Sequence, residues 1–377
     1  MIKINKINRS FVIKVAQIRW GEPIGGVERV LKDLACYIDR NAFKVLFVFL
    51  RSGGGYEAEM HASGHGVMVI PARNGYDIGM RIALIKELRK FAPDIINEHG
   101  GIPPLIRPMI KMAIHAPLVS FEHGEIEVNQ RRGKAWVNKV NGFELRHFSD
   151  KVIVNSLLNK NLLATHHRLP EDKIQVVHLG IDLNQFVYNQ KSPITSELII
   201  GYVGRINNSD KGTDFLPLLV SKILSRGFRN FRLQIIGDGP DRKSLESLVG
   251  QRGISGHVDF LGMQPNVHDL LSNIDILVVP SRTEAFGLVA IEALAAGTRV
   301  VAFATGALPE ILSGCPDAQI VPQGDIPALA DAVLNLWKSK GKQRSQEGRN
   351  FVIERYDARR MVGEMENVYK NMLQVKI

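Results

Sequence analysis

Runs of four to eight apolar residues alternate along this chain with segments in which apolar residues return every third or fourth position, the pattern of strands and helices taken in turn. Phe11 to Ile18 predicts a first strand after a polar tail. A Gly-rich turn at Gly21 to Gly26 leads into a helix over Val27 to Ile38, whose Val30, Leu31, Leu34 and Ile38 share one face. Strand Val45 to Leu50, a Gly-rich loop at Gly53 to Gly55, strand Val67 to Ile70 and helix Met80 to Phe91 continue the order, with Leu84, Leu88 and Phe91 in register. Short buried strands are predicted at Asp94 to Asn97, Leu118 to Phe121, Lys151 to Asn155 and Ile174 to His178.

From Leu183 to Glu197 the periodicity lapses into Asn, Gln, Lys, Ser and Pro, which reads as a connection between domains. Beyond it the alternation starts again: strand Leu198 to Val203, helix Thr213 to Ser225, strand Phe231 to Ile236, helix Asp241 to Gln251, strands His257 to Phe260 and Ile276 to Val279, helix Leu288 to Ala296 and strand Arg299 to Phe303. Helices over Ile326 to Trp337, Gln343 to Arg355 and Ala358 to Leu373 close the chain. Strand and helix in turn imply an α/β protein with parallel sheets covered by helices. A length of 377 residues exceeds the usual single core, so two domains are expected. No repeat and no low-complexity segment interrupts them.

Composition narrows the setting. No stretch approaches the roughly 18 apolar residues of a membrane-spanning helix, and Lys14 interrupts the first apolar run, which argues against a signal peptide or integral anchor. The two cysteines, Cys36 and Cys315, make neither a disulfide framework nor a metal-ligand cluster, and a reducing cytosol is the expected location. The net charge of +10 is uneven, with a surplus of 8 in residues 1–182 and 2 in the remainder. The first half is therefore expected to face something anionic: phospholipid head groups, a phosphorylated acceptor or nucleic acid.

Four sets of residues fall in strand-to-helix loops, where parallel sheets bind ligands. Gly25 and Gly26 precede the first helix, where backbone N–H groups can approach an anion, although a plain turn explains a Gly-Gly pair as well. Gly204-Arg205 and Lys211-Gly212 follow the strand Leu198 to Val203 and offer two cations to a diphosphate; two solvated surface charges are the lesser alternative. Glu284, Ala285, Phe286, Gly287 and Leu288 lead into a helix that carries Glu292. Two carboxylates so spaced can accept hydroxyls at two points of an extended ligand, whereas alone each is a helix-start charge or a solvated side chain. His123 ends a strand beside Gly124, with His99 in a similar position beside Gly100; an isolated histidine is more often a packing residue.

Together these segments resemble the retaining GT-B glycosyltransferases of the family 4 type, which include glycogen-synthase relatives, sucrose-phosphate synthases and phosphatidylinositol mannosyltransferases. The resemblance spans nearly the whole chain and is most specific in Glu284-Ala-Phe-Gly-Leu-Val-Ala-Ile-Glu292-Ala-Leu-Ala-Ala-Gly297. Val203-Gly204-Arg205, Asp210-Lys211-Gly212, Ile236-Gly237-Asp238-Gly239-Pro240, Phe260-Leu261-Gly262, Pro280-Ser281 and His178-Leu179-Gly180-Ile181-Asp182 follow in the family's order. It implies two Rossmann-like domains facing across a cleft: an acceptor domain over 1–182, a donor domain over 183–355, and a last helix, 356–377, crossing back to the first. It also implies that Arg205 and Lys211 bind the donor diphosphate with Gly204 and Gly237 beside them, Glu284 the sugar hydroxyls and Glu292 the ribose. Gly25 and Gly26 then border the phosphate and acceptor side, and His123 contacts the transferred sugar.

No Asp-x-Asp triplet occurs, so Arg205, Lys211 and helix N-termini are expected to take the role of a metal, and neither metal nor cofactor is expected. The partners expected are a nucleotide sugar and an acceptor that is lipid-linked or an anionic glycan, in glycan, lipopolysaccharide or glycolipid assembly, with no nucleic acid. Arg131, Arg132, Lys134 and Lys139 flank Trp136 and Val137, which reads equally as a basic amphipathic patch for an anionic membrane or as a solvated helix. Two rival classes stand beside this reading. One is an NAD-dependent sugar-nucleotide oxidoreductase or epimerase, whose G-x-G-x-x-G spacing Gly21 to Gly26 lacks; the other is a non-enzymatic basic anion-binding protein, which leaves the paired glutamates unexplained.

Overall fold

The apolar runs of the sequence become parallel strands, the central ones buried on both faces, and the amphipathic segments between them become the helices that bury them. The computed structural model describes residues 12–21, 25–51, 55–124, 135–186, 188, 197–264, 266–340 and 346–374. By contacts it separates into two units, Met1–His178 with Ala358–Ile377, and Leu179–Asp357.

The first unit runs β1 (Ile13–Arg19), α1 (Gly26–Tyr37), β2 (Phe43–Phe49), α2 (Glu57–Ala62), β3 (Gly66–Val69), α3 (Ile78–Phe91), β4 (Ile95–His99), α4 (Ile106–Ala113), β5 (Leu118–Glu122), α5 (Ala135–Phe148), β6 (Lys151–Val154), α6 (Leu157–His166) and β7 (Ile174–Val176). Its sheet is parallel throughout, in the order β3-β2-β1-β4-β5-β6-β7. The order reverses between β1 and β4, the place where open α/β sheets leave a crevice at their carboxyl ends. Register sets Gln17 beside Asn97 and Arg19 beside His99 there. Because side chains alternate along a strand, Gln17, Asn97 and His99 share one face of the sheet.

The second unit runs β8 (Leu198–Val203), α7 (Asn208–Lys211), α8 (Phe215–Ser225), β9 (Phe231–Ile236), α9 (Arg242–Gln251), β10 (Val258–Gly262), α10 (Val267–Leu271), β11 (Ile276–Val279), α11 (Leu288–Ala295), β12 (Arg299–Phe303), α12 (Leu308–Ile311), β13 (Ala318–Val321), α13 (Ile326–Lys340) and α14 (Gln346–Arg355). Its parallel sheet has the order β10-β9-β8-β11-β12-β13, the doubly wound Rossmann arrangement, with its reversal between β8 and β11. Leu198, Ile200, Leu219, Ile235, Ile276, Val301 and Leu329 lie in one core.

The chain then returns to the first unit as α15 (Ala358–Gln374), whose Met361, Val362, Met365 and Tyr369 are buried at helical spacing. Both units are thus α/β with Rossmann-like sheets, as the GT-B resemblance implies. No helix among the described residues is long and apolar enough to cross a membrane. Strand β13 and helices α2, α4, α6, α7, α10 and α12 are additions to the predicted elements. Three of the four residues of β13 are only half-buried, so it has no continuous apolar run to reveal it.

Candidate active site

In the second unit the carboxyl ends of β8, β9 and β11 come together through glycines. Gly204 (φ +151) and Gly237 (φ +134) occupy backbone conformations that disfavour side chains, and a Cβ on Gly237 would lie 2.0 Å from the Gly204 carbonyl oxygen. The two loops are tied by Gly204 N–H donating to Ile236 O at 3.0 Å and Ile206 N–H donating to Asp238 O at 2.9 Å. Such closeness keeps side chains off the loop crest and leaves backbone and flanking side chains to meet a ligand.

Lys211 ends the short helix α7. The Asp210 carbonyl accepts from Arg282 N–H at 2.8 Å and from Thr283 N–H at 3.0 Å, which ties this turn to the loop after β11. Arg282 is itself held by both carboxylate oxygens of Asp214 at 2.5 and 2.8 Å. As a result Lys211 Nζ donates to Glu284 Oε2 at 2.8 Å, with Ser281 Oγ donating to the same oxygen at 3.1 Å. Two residues 73 positions apart are therefore one ion pair, Glu284 nearly buried and Lys211 one-third exposed.

Arg205 lies just past β8 and is exposed, and its guanidinium bonds to no described residue. Its backbone carbonyl accepts from the Tyr202 hydroxyl at 2.7 Å, which fixes the turn rather than the charge. Gly287 (φ +94) caps α11, and a Cβ there would strike Leu308 at 2.5 Å. Phe286 is buried and packs edge-on against Tyr356, so it offers a ligand its backbone, and Ala285 and Leu288 on either side are half-buried. Glu292 is buried on α11. Gly212, and Gly306 which the sequence motifs passed over, also shape the site: a Cβ on Gly306 would lie 1.7 Å from the Glu284 carbonyl oxygen, and one on Gly212 would lie 2.1 Å from that of Pro280.

In the first unit Gly25 caps α1 and Gly26 begins it. A Cβ on Gly25 would lie 2.7 Å from Glu28 Oε2, so the Glu28 carboxylate already covers this helix start. Arg19 pairs with Glu28 at 3.0 Å and also donates to the Gly100 carbonyl. An anion approaching these amides thus meets a carboxylate and its counter-cation together.

His123 follows β5 and is buried, stacked on Phe121 at 3.9 Å between ring centroids. His99 Nδ1 lies 2.8 Å from His123 Nε2, so the two strand-end histidines form one unit. Burial drives the His99 pKa down to about 3, and burial with the neighbouring His99 and Arg19 holds His123 well below its usual value, so both rings are neutral at pH 7.

Beside them stands a charged cluster that no motif announced. Arg107, fully buried, donates to Glu98 at 2.6 Å, to Glu122 at 2.9 Å and to Asn141 at 2.5 Å, with Glu144 at 3.6 Å. Burial pushes the Glu122 carboxyl up to about 7 against the pull of Arg107, and the negative Glu98 adds to the rise. A cavity of about 400 Å³ opens here, with Ile102, Pro104, Glu122, Asn141, Glu144 and His167 in its wall. The one sign in the sequence was an arginine in an otherwise apolar helical stretch, Ile106 to Ile110.

Of the basic patch, Arg131, Arg132 and Lys134 lie outside the described residues. Trp136 and Phe143 of α5 are exposed, as is Lys139, while Val137 turns into the cavity wall.

Residues 24–185 match the family model described as Glycosyltransferase Family 4, and residues 185–351 match that described as Glycosyl transferases group 1. An uncharacterised glycosyltransferase of Methanocaldococcus jannaschii is 27% identical over 95% of this chain and 98% of its own length. The N-acetyl-alpha-D-glucosaminyl L-malate synthase of Bacillus anthracis is 26% identical over 79% of this chain and 80% of its own. In fold, the structure of Anabaena HepE in complex with UDP-glucose is similar at a TM-score of 0.80 and 18% identity, covering 95% of this chain and 100% of that one.

Proposed function

Because the chain belongs to the glycosyltransferases, Family 4 in its first half and group 1 in its second, we propose that it moves a sugar from a nucleoside-diphosphate sugar to an acceptor hydroxyl, with retention and without a metal ion. The observation that carries this reading is the ion pair of Lys211 with Glu284 beside the unpaired Arg205, at the strand-order reversal of the second unit. The complex of the similarly folded HepE with UDP-glucose supports the donor class.

In this mechanism the bond between the anomeric carbon and the diphosphate oxygen breaks, and the electron pair leaves with the phosphate. Lys211 and Arg205 stabilise the charge that grows on that oxygen, through charge-assisted hydrogen bonds aimed where the charge develops. The acceptor oxygen attacks the same face, and its proton passes to the departing phosphate oxygen. Glu284 accepts sugar hydroxyls, Glu292 the ribose, and the Gly204 and Gly237 backbones let the diphosphate approach closely. The amides at Ala285 to Leu288 meet the donor, and His123 the transferred sugar. Gly25 and Gly26, with Glu28 and Arg19 over them, border the acceptor side. A covalent double displacement ranks below this route, because Glu284 is assigned to sugar hydroxyls and no second carboxylate is assigned beneath the anomeric carbon.

Neither rival class accounts for a buried glutamate pair with cations at a strand-order reversal. For membrane contact, the support is the exposed Trp136, Phe143 and Lys139 on one helix and the positive first half. The acceptor is then lipid-linked or an anionic glycan reached at a cytoplasmic membrane face. Flotation with vesicles of anionic lipid is expected to carry the protein up, and Trp136→Ala with Lys139→Ala to reduce it; equal flotation with neutral vesicles leaves a freely diffusing acceptor.

The donor reading is tested by melting curves over a panel of nucleoside-diphosphate sugars with and without chelator, then by NMR of the product's anomeric proton. One donor is expected to raise the melting temperature equally in both conditions. Loss of the shift with chelator, or an inverted product, ends the proposed mechanism.

A further inference from the structure

His123 sits at the end of a hydrogen-bonded chain that begins on the last helix. The Tyr369 hydroxyl oxygen accepts from Gln17 Nε2 at 3.0 Å and from Asn97 Nδ2 at 2.8 Å. With its amide nitrogen so engaged, Gln17 turns its carbonyl oxygen to His99 Nε2 at 2.8 Å. A carbonyl can only accept, so His99 carries its proton on Nε2. Since that ring is neutral, His99 Nδ1 is a bare lone pair, and His123 Nε2, at 2.8 Å, is the donor to it. His123 is neutral as well, so its Nδ1 is left without a proton, and this buried atom has no hydrogen-bond partner among the described residues.

From this chain we infer that Tyr369, Gln17 and His99 are positioning residues that hold His123 in the Nε2–H tautomer, so that its Nδ1 accepts a hydrogen bond from a hydroxyl of the transferred sugar. The tautomer follows from these hydrogen bonds together with the neutrality that burial imposes on both rings; its use rests on the reading of His123 under Proposed function. Stacking of His123 on Phe121 at 25° and on His99 at 17° fixes the ring plane, so the lone pair has one direction. An orphaned buried acceptor is costly, on the order of 1–3 kcal/mol, and the cost is removed when a ligand hydroxyl meets it. Docking of α15 is thereby linked to the chemistry through a partner 352 residues from Gln17.

Two experiments separate the parts. Nitrogen NMR of the full chain with labelled histidine, without substrate, is expected to show His123 protonated at Nε2 and bare at Nδ1. A proton on Nδ1, or a charged ring at pH 7.5, overturns the inference whatever the enzyme does. Tyr369→Phe keeps the ring packed against Phe43 but frees Gln17 to turn, so the His123 signal is expected to report both tautomers while the melting curve still shows a folded protein. In turnover, Tyr369→Phe is expected to lower kcat about tenfold with little change in KM for the donor, and by much less on a deoxy donor that lacks the contacted hydroxyl. If every deoxy donor is slowed as much as the parent sugar, the hydroxyl contact is wrong. If the tautomer is as stated and no nucleotide sugar is turned over, the enzymatic reading fails and the chain of bonds stands.

Discussion

Arg107 shows how one buried residue constrains its surroundings. Burial opposes the charge of its guanidinium, but Glu98 and Glu122 outweigh that opposition and the pKa rises above its ordinary value. Removing it leaves buried carboxylates without their cation, so Arg107→Met is expected to destabilise the first unit by about 3–5 kcal/mol in urea unfolding at pH 7.5. Glu122 adds a pH signature. Its carboxyl is raised to about 7 in the fold, so its contribution to stability is full below the ordinary value of 4.5 and is lost as pH rises through 7. His99 acts oppositely: lowered to about 3, it stabilises above 6.5 and loses that contribution as pH falls toward 3. Urea midpoints from pH 5 to 8 are expected to fall less toward high pH in Glu122→Gln than in the parent protein, and parallel curves would remove the assignment.

At the level of elements, the strands buried in the second sheet were readable to the residue. Leu198–Val203, Phe231–Ile236, Ile276–Val279 and Arg299–Phe303 have the bounds that their mainly apolar runs predict, because the central positions of a covered strand are buried. Half-buried β13 and helix α4, which begins after Leu105 in a left-handed conformation, have no such mark. The loops are set by backbone contact: Gly237→Ala forces a Cβ into the Gly204 carbonyl at a disfavoured φ, and is expected to cost at least about 1–3 kcal/mol and to abolish the donor-induced rise in melting temperature. A variant that melts and responds like the parent contradicts that role. For α15, Met365→Ala empties a fully buried position and is expected to destabilise the first unit by about 2–5 kcal/mol; in calorimetry only that unit's transition moves.

For the whole molecule, two cores of separate composition predict two unfolding transitions, the first unit's including residues from both ends of the chain. A donor whose nucleotide is held by the second unit stabilises chiefly that unit's transition, by about 2.7 kcal/mol at one hundred times its Kd. Calorimetry with and without donor is expected to show that selective shift, and Lys211→Ala to lose it. A shift of the first unit's transition alone would place the nucleotide on the wrong sheet.

What the sequence determined by itself is local. Apolar periodicity, glycine positions and the Glu284 to Gly297 segment specified the alternation, the strand-to-helix loops and the family resemblance, because burial on a strand or helix face is written in neighbouring residues. The positions of Arg205, Lys211 and Glu284 in loops that follow strands, and of Glu292 on the helix after one, were legible for the same reason. The partners were not. That Lys211 meets Glu284, that Arg107 gathers Glu98, Glu122 and Glu144, and that Tyr369 reaches His123 through Gln17 and His99 were decided by the tertiary structure. Strand order puts β1 between β2 and β4 and returns α15 to cover them, and hydrogen-bond partners follow that order in space, which no local pattern encodes.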